Sequence, residues 1–100
     1  MSERASTLFR FWYSYTQEAV ICGWASAEQF GSRLEALMQV SDPARVEATV
    51  ALLSRETIAW SAGLERRARA RLLAASVCRG GVWIEDVEQL LDGLEGEHHA

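Results

Sequence analysis

The stretch from Phe9 to Leu37, FRFWYSYTQEAVICGWASAEQFGSRLEAL, decides the reading of this chain. Within it Phe9, Tyr13, Thr16, Val20, Gly23, Ala27, Phe30, Leu34 and Leu37 fall at alternating spacings of four and three. Such steps keep side chains on one face of a helix, so the pattern predicts a long helix that buries one stripe against another. A second run, Val46, Val50, Leu53, Thr57, Trp60, Leu64, Ala68, Leu72 and Ala75, carries a matching seam.

Between the seams lies Val40-Ser41-Asp42-Pro43. Asp42 suits an N-cap and Pro43 the first helical position, where its missing N–H costs nothing. So short a connection makes the helices antiparallel neighbours. The expected fold is all-α: a long antiparallel two-helix hairpin over about 7–38 and 43–78, closed by Gly80-Gly81, then a short third helix over about 83–91. The chain reads as a single helical domain, with residues 1–6 and 95–100 expected to be frayed or disordered.

The turn sets a register in which Leu37 faces Val46, Phe30 faces Leu53, Gly23 faces Trp60 and Tyr13 faces Leu72. A glycine inside a helix costs about 1 kcal/mol relative to alanine. In this register Gly23 is explained by room for the Trp60 indole, and Gly23→Leu is expected to collide with it.

Apolar residues make up 49% of the chain, enough for a core, and the net charge is −4. Charge is uneven: −1 over residues 1–40, +3 over 41–81 and −6 over 82–100, with arginine as the only basic residue besides histidine. No uninterrupted apolar run approaches the ~18 residues of a transmembrane helix, and no secretory leader is visible, so a cytoplasmic location is expected. Cys22 and Cys78 are the only cysteines. The hairpin separates them by about 27 Å, well beyond disulfide reach, so both are expected as free thiols in a reducing compartment.

Arg66, Arg67, Arg69 and Arg71 spread around a helix and form no single groove-facing stripe, so they read as a solvated face and no nucleic-acid partner is favoured. Both histidines, His98 and His99, lie in the tail. No Ser-His-acid arrangement, metal-ligand spacing or phosphate-binding glycine loop can be assembled. No catalytic residue, metal or cofactor is therefore expected, and the chain reads as a non-enzyme.

Phe11, Trp12, Tyr15, Ile21 and Trp24 fall outside the seam of the first helix and are the candidate surface and partner-binding residues. An apolar face left by a two-helix hairpin needs a cover. Three are open: the chain's own third helix, a second copy in a homo-oligomeric bundle, or a non-protein apolar surface.

Phe11-Trp12, Val20-Ile21 and Phe30-x-x-Arg33-Leu34 resemble the first helix of short bacterial phasin-like proteins. Val46-Glu47-Ala48 and Leu53-Ser54-Arg55-Glu56-Thr57-Ile58-Ala59 are similar to their second helix, in which a Met-x-x-Glu-Lys-x-x-Ala run is common. Glu56 and Ala59 match that run; Leu53 replaces its Met and Thr57 its Lys. The resemblance covers residues 8–75. It implies an amphipathic helical coat, oligomeric and without catalytic residues, on polyhydroxyalkanoate granules. The alternative expectation is a small cytoplasmic protein–protein adaptor that forms a homo-oligomeric helical bundle through the same side chains.

Overall fold

A continuous helix over residues 7–38 would run about 48 Å at 1.5 Å per residue. The computed structural model, which describes residues 1–99 and their side chains through 96, measures only 37 Å along its longest axis. Each expected rod is broken in two. The helices are α1 (Glu3–Ile21), α2 (Ala27–Met38), α3 (Pro43–Ser61), α4 (Arg66–Cys78) and α5 (Ile84–His99), with no strand among the described residues. The all-α class stands, and the hairpin with a third helix is corrected to five helices.

The first break follows from backbone geometry at Gly23. Its φ is +78°, left-handed space that a residue with a Cβ enters only with strain. There the Gly23 N–H donates to the Val20 carbonyl and the Trp24 N–H to the Ala19 carbonyl, closing α1 with a Schellman motif. Ser26 then restarts the helix: its hydroxyl accepts the Gln29 N–H at 3.1 Å. A Cβ built on Gly23 would meet nothing within 4 Å. Room for Trp60 is therefore not the reason for this glycine, and the expected collision of Gly23→Leu is withdrawn.

The second break is a tight turn at 62–65. The Gly63 N–H donates to Trp60 and the Leu64 N–H to Ser61, three residues back in each case. The Asp-Pro corner is as read: Asp42 caps α3, its carboxylate accepting the Ala44 N–H at 3.2 Å. So is the stop at Gly80-Gly81, where Gly81 takes a φ of +65°. At the chain ends, α1 starts at Glu3 with Ser2 as its cap, and α5 runs to His99. Ala100, in the tail expected to be disordered, lies outside the described residues.

Breaking both rods near their midpoints folds the hairpin back on itself. The antiparallel pairings survive in part: α2 meets α3 through Arg33 and Glu56, and α1 meets α4 through Glu18 and Arg71. A new contact appears that no straight hairpin contains. Arg4 pairs with Glu47 and Ser54 donates to the Leu8 carbonyl, so α1 and α3 run side by side in the same direction.

Helix α1 becomes the centre of the bundle, in contact with all four other helices. Its Ala5, Leu8, Phe11, Trp12, Tyr15 and Ala19 are sealed at 1% exposure or less. Leu37 of α2, Val50, Ala51 and Leu53 of α3, Leu72 of α4, Val82 before α5, and Ile84, Val87 and Leu91 of α5 complete the core. Burial of three large aromatic rings in one stripe supplies much of the driving force, since each removes 150–250 Å² or so from water.

Candidate partner-binding cleft

The five residues nominated from sequence divide sharply. Phe11, Trp12 and Tyr15 are fully buried by the chain's own helices and offer no surface. The expectation that they bind a partner is corrected: once α3 and α4 pack on different sides of α1, the face left bare by a hairpin is covered. The Phe11 and Tyr15 rings pack tilted with centroids 5.0 Å apart, and Trp12 packs in the same manner at 5.2 Å from Phe30 of α2. Only Ile21 and Trp24, at the α1–α2 turn, remain outside, at 61% and 37% exposure.

Trp24 instead forms one wall of a cleft of about 440 Å³ between the α1–α2 turn, α2 and α3. Trp60, 40% exposed near the end of α3, lines it as well. Phe30 contributes its ring, anchored from behind by Trp12 and Tyr13. Polar groups converge on the same space: Thr16, Ser26, Gln29 and Thr57, with Arg33 and Glu56. Arg33 and Glu56 lie 3.8 Å apart and are both about half exposed, a loose ion pair that bridges α2 and α3.

One atom in the lining is unpaired. The Thr16 hydroxyl oxygen is shielded from solvent and has no hydrogen-bond partner. A buried hydroxyl without a partner carries a desolvation cost, and an oxygen sealed from water is sealed from a ligand in the open cleft as well. Of these residues Thr16, Phe30, Thr57 and Trp60 fall on the helix seams of the sequence, and Arg33 and Glu56 in the runs that resemble phasin-like helices. The signal that finds the cleft is the run Gly23-Trp24-Ala25-Ser26-x-x-Gln29. A helix-ending glycine followed by a Ser-x-x-Gln start marks a turn, and the turn carries Trp24.

A second cluster lies across the α1–α4 interface. The Glu18 carboxylate accepts from the Arg71 Nε at 2.9 Å and from the Arg79 guanidinium, and the Cys22 thiol donates to it at 3.5 Å. The Arg71 hydrogen bond holds the Glu18 carboxyl below its usual range, against the opposing effect of burial, with help from Cys22 and the charge of Arg79. Burial and the bond to Glu18 push the Cys22 thiol up, which makes it a poor nucleophile near neutral pH. Both cysteines are free.

Arg66, Arg67, Arg69 and Arg71 are all exposed. Among the described residues of the acidic α5, Glu95 pairs with Arg55 of α3 at 3.6 Å. Among the described residues no group of three or more His, Cys, Asp or Glu is placed to hold a metal ion. No described helix is long and apolar enough to cross a membrane. No family model, curated protein or solved structure matches this chain.

Proposed function

We propose that the chain is a non-enzymatic helical adaptor that grips a segment of a partner protein in the cleft lined by Trp24 and Trp60. The observation that carries this reading is two part-exposed indoles lining one cavity of about 440 Å³. That size lies within the roughly 300–1,000 Å³ of ordinary ligand sites. Tryptophan is also the side chain most enriched where binding energy concentrates. A homo-oligomer is one form of the same reading, with the gripped segment supplied by a second copy.

Selection from a displayed library of random short peptides tests it. Enriched peptides should bind the wild type and lose about tenfold or more in affinity against Trp60→Ser, the cost of removing one binding anchor. Failure to enrich any peptide that depends on Trp24 or Trp60 rejects the proposal. Light scattering on the chain alone reports whether the partner is another copy.

Ile21 favours a second reading, the coating of a polymer granule. It projects outside the cleft next to Trp24 and is 61% exposed. With Phe11, Trp12 and Tyr15 withdrawn into the core, that reading rests on Ile21 and Trp24. Cosedimentation with polyhydroxyalkanoate particles, wild type against Ile21→Ser/Trp24→Ser, tests it; equal binding or none rejects it.

A further inference from the structure

Trp83 is the most exposed aromatic side chain among the described residues, at 60%. Its neighbours hold it there. Val82 and Ile84 are buried on either side. The Val82 N–H donates to the Ser76 carbonyl at 3.0 Å, and the Ser76 hydroxyl donates to the Val82 carbonyl at 3.1 Å. With both neighbours fixed inward, the indole stands outward on a rigid support. It borders a groove of about 340 Å³ where α4 meets the start of α5. Leu73, Val77 and Cys78 line the α4 side and Glu85 the α5 side. An apolar groove beside an exposed indole has the make-up of the centre of a protein interface.

The flanks of the groove select its occupant. Residues 66–79 hold five arginines and no acid, whereas 82–100 hold six acids and no arginine. Steps of four, three and four put Arg66, Ala70, Leu73 and Val77 on one face of α4. Glu85 and Asp92, two turns apart, share a face of α5. Among the described residues Arg66, Arg67, Glu85 and Asp92 form no ion pair, and none joins α4 to α5. The patch therefore runs basic, apolar, acidic. A two-fold axis through its apolar centre lays the basic flank of each copy on the acidic flank of the other. A partner of one sign would match half of this patch; a second copy matches all of it.

We infer that this face binds a second copy of the chain in a symmetric dimer, each Trp83 packing into the groove of the other copy, with Arg66 and Arg67 opposite Glu85 and Asp92. The dimer uses none of the residues of the Trp24–Trp60 cleft, so it goes beyond the adaptor reading and stands without it.

Light scattering on the full chain at low salt should give twice the chain mass, falling towards one chain as added salt screens the flanks. Trp83→Ser should weaken association about a hundredfold, because a symmetric interface loses the indole twice. Trp60→Ser should leave association unchanged. Cys78 lines the groove, so its thiol should react quickly in dilute solution and more slowly as concentration rises. The decisive variants reverse one flank each: Arg66→Glu/Arg67→Glu the basic one, Glu85→Arg/Asp92→Arg the acidic one. Each alone should be monomeric. Mixed in equal amounts they should pair again, which also shows that both are folded. A wild type that stays monomeric at low salt, a dimer that survives Trp83→Ser, a Cys78 rate independent of concentration, or no pairing in the mixture each overturn the inference. A dimer lost in Trp60→Ser also overturns it, and would seat the second copy in the cleft as the homo-oligomeric form of the adaptor reading requires.

Discussion

Glu18 on α1 and Arg71 on α4 sit 2.9 Å apart, and Arg79, just past the C-terminal end of α4, closes on the same carboxylate. The carboxylate is largely buried while both guanidinium groups stay open to solvent. Glu18 is thus the single anion on which the α1–α4 interface is pinned. Its folded pKa lies below the ordinary glutamate value of about 4.3. A carboxyl depressed in the folded state stabilises the fold above its unfolded pKa and loses that contribution as pH falls through the folded value. Glu18→Gln should therefore lower the urea midpoint near pH 7 and have progressively less effect towards pH 3. Urea unfolding of both proteins across that range checks it. A deficit that persists undiminished in acid would show that the carboxylate charge is not what matters.

The tryptophans should separate by position rather than by type. Trp12→Ala removes a fully buried ring and should cost about 3–5 kcal/mol, enough to leave a domain of this size barely folded. Trp24→Ala, on a part-exposed indole at a turn, should cost less than about 1 kcal/mol. Chemical denaturation of the two variants measures the difference. Equal losses would mean that Trp24 belongs to the core, and the cleft would lose a wall.

Gly23 carries the break between α1 and α2, so substitution there tests the five-helix fold directly. Gly23→Ala should cost about 1–2 kcal/mol from left-handed strain alone. Gly23→Leu should cost nearly the same, because a side chain there meets open space. A leucine variant much worse than the alanine variant would point to a buried glycine in a continuous helix.

That contrast also explains what could be read from sequence. The Asp42-Pro43 corner and the Gly80-Gly81 stop were legible because covalent chemistry forces them: proline bars helical geometry before it, and a pair of glycines supports no helix. The breaks near Gly23 and Gly63 were hidden by the seam itself. The apolar spacing continues through both, although in α1 it does not mark the buried face: Phe9, Tyr13, Thr16 and Val20 stay part-exposed while Leu8, Phe11, Trp12, Tyr15 and Ala19 are sealed. Periodicity reports helical spacing; it is silent on whether the helix is continuous, and it cannot say which of two apolar faces the fold will bury. The candidate site shared this fate. Ile21 and Trp24 emerge at the turn that the seam conceals, while Phe11, Trp12 and Tyr15, outside the seam, are covered by the parallel α1–α3 packing that the turn permits.

The two thiols should react at different rates. Cys78 is exposed, whereas Cys22 is half-buried and donates to the Glu18 carboxylate. A thiol pushed up by burial and by an acceptor carboxylate has little thiolate near neutral pH. Titration with an aromatic disulfide reagent should show one fast and one slow cysteine. The slow phase should quicken in Glu18→Gln, and Cys78→Ser should abolish the fast one. Two equal phases would remove Cys22 from the Glu18 cluster.

Gly80 marks the closest approach of the α4–α5 turn to α1. A Cβ there would lie 2.5 Å from the Ser14 hydroxyl oxygen, 2.7 Å from the Ser76 carbonyl and 3.0 Å from the Arg10 carbonyl. Two of those neighbours are backbone and cannot rotate away. Gly80→Ala should therefore cost about 1–3 kcal/mol by overpacking, with no contribution from left-handed strain at this residue. Ser14→Ala alone loses the 2.6 Å bond from its hydroxyl to the Arg10 carbonyl and should cost about 1 kcal/mol. In the Gly80→Ala background it also removes the nearest clashing atom. The double variant should thus be more stable than the two single costs add up to, yet short of the wild type, because the carbonyls of Ser76 and Arg10 still obstruct the new methyl. A double-mutant cycle by urea unfolding reads the coupling; strict additivity would separate Gly80 from Ser14 and place the turn elsewhere on α1.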